Sequence, residues 1–198
     1  MIRAIVFAAA MFAVGAAGAM VVRHIDDNPR SVGTGPAPLF TLTAQDGKPV
    51  SLVDLRGKTV VLSFAFTTCG LVCPIAMGKF VDIQNKLGPA FGRDVRFVTV
   101  TIDPRHDTTE VLADYAHNIG AKTSGWSFLT GSEDAVQKVA RRYGVYARPD
   151  GQGSVEHIQL TTLIDRDGVI RLQYLGERFD SSEMLSDIRA MVAKGRSG

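Results

Sequence analysis

The run Lys58-Thr59-Val60-Val61-Leu62-Ser63-Phe64-Ala65-Phe66 constrains the fold more than any other segment. It is rich in β-branched and aromatic residues, with no polar alternation, as in a central strand buried on both faces. Such a strand needs covering layers above and below, which points to an α/β domain. Thr67-Thr68-Cys69-Gly70-Leu71-Val72-Cys73-Pro74 follows directly. Ile75, Phe80, Ile83 and Leu87 then fall near helical spacing, until Gly88-Pro89 stops the helix.

The remaining elements can be placed around this unit. Residues 40–43 alternate like a strand, residues 45–48 supply a turn, and residues 50–52 pair back as a hairpin. Residues 95–102 read as a second buried strand. Residues 107–119 read as a helix with acidic residues in its first turn and Gly120 behind it. A short strand at 128–130 precedes a helix capped by Ser132 and closed by Gly144. Strands at 158–164 and 169–175 flank the turn Asp165-Arg166-Asp167-Gly168, and Asp180 or Ser181 caps a last helix through Val192. A βαβ unit followed by a β-hairpin and a final helix is the thioredoxin arrangement, here with an N-terminal β-hairpin added. A right-handed crossover puts the cysteine loop at one end of the sheet.

The N-terminus adds a location. Residues 4–22 are 19 uncharged, mostly apolar residues, enough to cross a hydrocarbon core of roughly 30 Å. They read as a transmembrane helix, so residues 1–25 form a membrane anchor. The other reading is a cleaved signal peptide with Ala17-Gly18-Ala19 at the cleavage site; the length favours the anchor. A mitochondrial presequence would carry several arginines, and only Arg3 precedes the run, so bacterial export is expected, with the domain on the periplasmic side of the inner membrane. Residues 26–38, with Pro29, Gly33, Gly35, Pro36 and Pro38, read as a flexible tether, and residues 39–198 as the folded domain. A net charge of +2 gives no reason to expect a nucleic-acid partner.

The chain has two cysteines, four residues apart. An exported domain of this size does not need a disulfide staple, which suggests a chemical task. Pro74 fits the first turn of a helix, whose free N–H groups favour thiolate. Residues four apart on a helix have Cα atoms roughly 6 Å apart, close enough for a disulfide or for two thiolates on one metal ion. Spacing does not choose between them. Zinc usually takes three or four protein ligands, whereas copper accepts two sulfurs and an imidazole. The histidines are His24, His106, His117 and His157. His157 stands just before a strand that a thioredoxin-like fold returns beside the cysteine loop, and is the expected third ligand. Met77 continues the cysteine spacing but reads as core, and Asp103 as a turn residue. General thioredoxins use Cys-x₂-Cys and a proline where Ser154-Val155-Glu156-His157 stands here.

VVLSFAFTTCGLVCP (60–74) resembles the copper-site loop of the SCO/SenC family, and VTVTIDPRHDTTEVL (98–112) looks like that family's next strand and helix. GWSFLTG (125–131), RYGV (142–145) and LIDRDG (163–168) are similar to its later landmarks. The resemblance implies a copper site of Cys69, Cys73 and His157, a role in assembling the copper centre of cytochrome c oxidase, and an N-terminal anchor. It also implies, as partner, the copper-accepting subunit of the oxidase or another copper protein. Members are discussed as copper donors, as thiol–disulfide reductants of the target's cysteines, or both. The expectation for this chain is a metallochaperone rather than an enzyme, with thiol–disulfide reduction by Cys69 and Cys73 as the alternative. Gly70-Leu71 departs from the Pro-Asp that many members carry, leaving a more apolar loop.

Overall fold

The computed structural model describes residues 30–33, 35–70, 72–149, 155–157 and 159–195. The expected transmembrane helix, over residues 4–22, lies outside them. Among the described residues no helix is long and apolar enough to cross a membrane.

In chain order the elements are β1 (Arg30–Val32), β2 (Thr41–Ala44), β3 (Pro49–Ser51), β4 (Thr59–Ala65), α1 (Val72–Leu87), β5 (Val95–Thr101), α2 (Thr109–Asn118), β6 (Trp126–Thr130), α3 (Glu133–Arg142), β7 (Ala147–Pro149), β8 (Val155–His157), β9 (Leu160–Ile164), β10 (Ile170–Leu175) and α4 (Ser181–Lys194). Eight strands form one mixed sheet in the order β1-β10-β9-β4-β5-β6-β2-β3. β4 lies inside it, parallel to β5 and antiparallel to β9, and all seven of its residues are buried. That is the placement a mostly apolar run without polar alternation demands.

Three polar side chains in this core satisfy one another. Ser63 Oγ lies 3.0 Å from Thr99 Oγ1, which also accepts a 2.9 Å hydrogen bond from Trp126 Nε1. Buried hydroxyls paired in this way cost the core little. Phe80 of α1 stacks on Phe179, with centroids 5.3 Å apart, and meets Phe97 and Trp126 edge-on. Lys79 Nζ donates to the carbonyls of Glu177 and Phe179 at 2.8 Å, fastening α1 to the approach to α4. Gln84 joins α1 to the end of α2 through Gly120 O and Lys122 N–H. On the opposite face Tyr143, just past α3, packs on Phe64 and Phe40. Helices thus cover both faces, as in a thioredoxin-like fold.

The β2–β3 hairpin forms as expected and extends the sheet beside β6. Ser132 and Asp180 cap α3 and α4. Gly168, at φ +71°, closes the β9–β10 turn while Asp165 Oδ1 accepts the N–H groups of Asp167 and Val169.

Three expectations change. Part of the tether is paired: β1 runs antiparallel along β10, and Gly33, Gly35 and Ala37 continue the hydrogen bonding. An open sheet edge offers N–H and C=O groups to any extended segment, and glycine and proline do not forbid that pairing. α2 is capped by Thr108 rather than opened by Asp107. The strand expected from residue 158 begins at Leu160, and His157 instead ends β8 of a separate β7–β8 hairpin.

Candidate metal centre

Cys69 and Cys73 sit where β4 gives way to α1, at the carboxyl end of the sheet's central strand. Both are free thiols, Cys69 partly exposed and Cys73 buried. α1 begins at Val72, so Cys73 lies in its first turn with Pro74 behind it. Proline costs a helix nothing there, because the first N–H groups have no partner within the helix. One of those groups finds a sulfur: Cys73 N–H donates to Cys69 Sγ at 3.3 Å. The two side chains therefore converge on one spot.

They do not share one environment. The Cys73 thiol is pushed up to about 12, first by burial, then by its hydrogen bond to Cys69, with the Asp107 charge adding a smaller push. A helix terminus alone favours thiolate; burial reverses that for Cys73. The helix N–H group instead serves the sulfur of Cys69.

Beneath the loop lies a carboxylate that the residue pattern assigns only to a helix start. Asp107 is fully buried. It accepts Thr67 N–H at 3.2 Å and the hydroxyls of Thr67 and Thr101. Thr67 is two residues before Cys69, and Thr101 ends β5, so Asp107 ties the cysteine loop to the neighbouring strand. The available signal was the doublet Asp107-Thr108. Only one residue can cap a helix, and Thr108, three before Val111, takes that role. Tyr115 of α2 belongs to the same environment: burial, then Cys73, Cys69 and Asp107, push its phenol above the ordinary range.

The other candidates fall away from the pair. Met77 is buried in the core. Asp103 turns the chain, with its N–H on Thr101 Oγ1 and its Oδ2 2.6 Å from His106 Nδ1. His117 is exposed in the last turn of α2, whose first turn is the one near the cysteines. His24 lies outside the described residues. His157 is placed by its backbone: it pairs with Ala147 and stands three residues before Leu160, where β9 begins. Thr161 of β9 lies opposite Ser63 near the end of β4. The His157 side chain is not among those described. Among the described side chains no three of His, Cys, Asp or Glu converge to hold a metal.

The sequence model of SCO1/SenC matches residues 33–193. The chain belongs to the SCO1/SenC family. It is 32% identical over 155 residues to the SCO1 protein homolog of Bacillus subtilis, covering 76% of this chain and 80% of that one. The solved structure of BsSco, a member of the Sco family of cytochrome c oxidase assembly proteins described with a disulfide switch, is 28% identical with a TM-score of 0.71, covering 82% of this chain and 96% of that one. The copper-bound structure of ScoI from Arabidopsis thaliana is 26% identical with a TM-score of 0.70, covering 83% and 99%. The chain spans about half the length of the mouse and human mitochondrial SCO1 homologs it matches. SCO1/SenC proteins thus share the sheet, and some solved members hold copper. A soft dithiol at an exposed loop fits that ion: two sulfur donors suit Cu(I).

Proposed function

We propose that this chain is a membrane-tethered copper metallochaperone that carries copper to, or helps assemble, the copper centre of a respiratory cytochrome c oxidase. One observation carries the reading: two free thiols meet at the sheet end to which the chain returns just after His157. Cys69 and Cys73 supply sulfur and His157 an imidazole. Copper is cargo, so the site must release it. A partly exposed Cys69 offers an acceptor's ligand a point of entry, while buried Cys73 keeps hold of the ion during exchange. The family membership and the copper bound by solved relatives support this reading, and the apolar residues 4–22 support a tether facing the periplasm.

A second reading rests on the unequal burial of the cysteines. Cys69 thiolate would attack a partner's disulfide and form a mixed disulfide. Cys73 would then attack Cys69 Sγ, releasing the partner as a dithiol and leaving this domain oxidised by two electrons. Copper release leaves the required dithiol, so both roles are compatible with one site.

The deciding experiment adds Cu(I) and Cu(II) to the reduced protein and measures stoichiometry and ligand signature. One copper per chain, lost in C69S and C73S, is expected. Absence of tight copper together with rapid disulfide exchange would make the protein a thiol–disulfide oxidoreductase on an SCO frame.

A further inference from the structure

The path of β1 decides which end of the domain the N-terminal segment meets. Arg30 lies opposite Tyr174 and Val32 opposite Leu172. Beyond β1, Gly33 N–H donates to Arg171 O, Ile170 N–H to Gly35 O, and Ala37 N–H to Gly168 O. Leu175, one residue past Tyr174, pairs with Leu160, and Thr161 pairs with Ser63. Arg30 therefore stands at the end of the sheet where β4 runs into the cysteine loop. Ala37 stands at the opposite end, beside the turn at Asp165.

The two ends differ in chemistry. At the cysteine end the exposed apolar side chains include Ile75, two residues after Cys73, Val111 in the first turn of α2, and Leu175 beside the entry of β1. Tyr146 joins them, 59% exposed, at the lip of a cleft of about 180 Å³ that includes Ile102 and Val136. Charged side chains stand at both ends: Arg105, paired with Glu133, and His106 are exposed at the cysteine end, and Arg56, Arg166, Asp167 and Lys194 line one open hollow at the other.

We propose that β1 is a strap that seats the cysteine end of the domain against the bilayer, with Ile75, Val111, Tyr146 and Leu175 meeting the lipid surface. The inference rests on residues 4–22 being the anchor of the proposed function. Between that apolar run and Arg30 lie only residues 23–29, a reach of at most about 25 Å. Turning the domain over would lift Arg30 by the length of a strand like β4, about 23 Å. The leash would then be fully taut, and Ile75, Val111, Tyr146 and Leu175 would stay in water. Seating the cysteine end leaves the leash slack, hides these apolar side chains in the interfacial zone and leaves Arg105 and His106 at headgroup level. The copper-carrying loop would then work within reach of a membrane-embedded acceptor's surface domain.

The test uses the full chain in nanodiscs whose lipids carry a quencher at headgroup depth. On a C69S/C73S background, which removes both native cysteines, a fluorophore is attached through V111C or through D167C. Quenching several-fold stronger at position 111 than at 167 is expected. Inserting a long Gly/Ser spacer between Asp27 and Asn28 should shrink the difference. Equal quenching in a membrane-bound protein, or stronger quenching at 167, overturns the orientation while leaving the anchor intact. Weak quenching at both positions in a membrane-bound protein also overturns it and leaves the rim to a protein partner. A chain recovered free of the membrane removes the anchor, and the strap proposal with it.

Discussion

Asp107 receives the backbone N–H of Thr67 across 40 residues of sequence, at 3.2 Å, on a carboxylate that is itself buried. This bond, with the hydroxyls of Thr67 and Thr101 on the same carboxylate, fixes where the chain leaves β4 and so where Cys69 stands. D107A should leave a buried hydroxyl and an amide without their acceptor, costing about 1–3 kcal/mol for each orphaned group. Denaturant unfolding measures the loss. Unchanged stability would mean that the loop holds its course without Asp107.

The same carboxylate acts on the thiols. D107N keeps an acceptor for Thr67 but removes a negative charge that helps hold up Cys73. The Cys73 thiol should then titrate below its present value of about 12, though only partly, because burial is the larger cause. The pH dependence of Cys73 alkylation, followed by mass spectrometry on a C69S background, reads the shift.

Cys73 also gives the apo protein a pH dependence of known sign. Its thiol ordinarily titrates near 9.0 and in the fold near 12, so between these values the folded state keeps a proton that the unfolded chain has lost. The associated stability is complete below pH 9 and is lost as pH rises toward 12. Thermal melts of the reduced protein at high pH should show this decline, and C73S should flatten it.

Copper must displace that proton. If Cys73 ligates as thiolate, each copper bound at neutral pH releases it, and apparent affinity should rise about tenfold per pH unit for this proton alone. Competition against a Cu(I) chelator at two pH values makes the measurement. An affinity indifferent to pH would remove Cys73 from the ligand set.

H157A should weaken copper binding severely while leaving Cys69 and Cys73 able to form a disulfide. Copper titration and thiol counting after mild oxidation test the two halves separately. Retained affinity would mean that the third ligand lies elsewhere.

F80A removes the ring that stacks on Phe179 and abuts Phe97 and Trp126. A buried phenylalanine truncated to alanine costs about 3–5 kcal/mol, here at the face that holds α1 and its cysteines on the sheet. Denaturant midpoint and copper stoichiometry should fall together, because α1 carries Cys73.

The chain's local chemistry determined much of this by itself. A strand buried on both faces reads as a mostly apolar run without polar alternation, which makes residues 59–65 legible as the centre of the sheet. The caps Ser132 and Asp180 and the turn at Asp165 are local hydrogen-bonding devices, readable from a few neighbouring residues. The close spacing of Cys69 and Cys73 made a shared site legible, although Cys69 stands in the loop before α1 and meets Cys73 through the N–H···Sγ bond rather than along a helical turn. What only the tertiary structure decided involves partners distant in sequence. The docking of β1 depends on an edge offered by β10, some 140 residues away, and no local pattern announces it. The burial of Cys73 depends on the layers packed over it and overrides the helix terminus that would otherwise favour thiolate. Asp107 looks like any acidic residue at a helix start. Folding turns it into the buried anchor of the cysteine loop, because its donors, Thr67 and Thr101, come from two different strand ends.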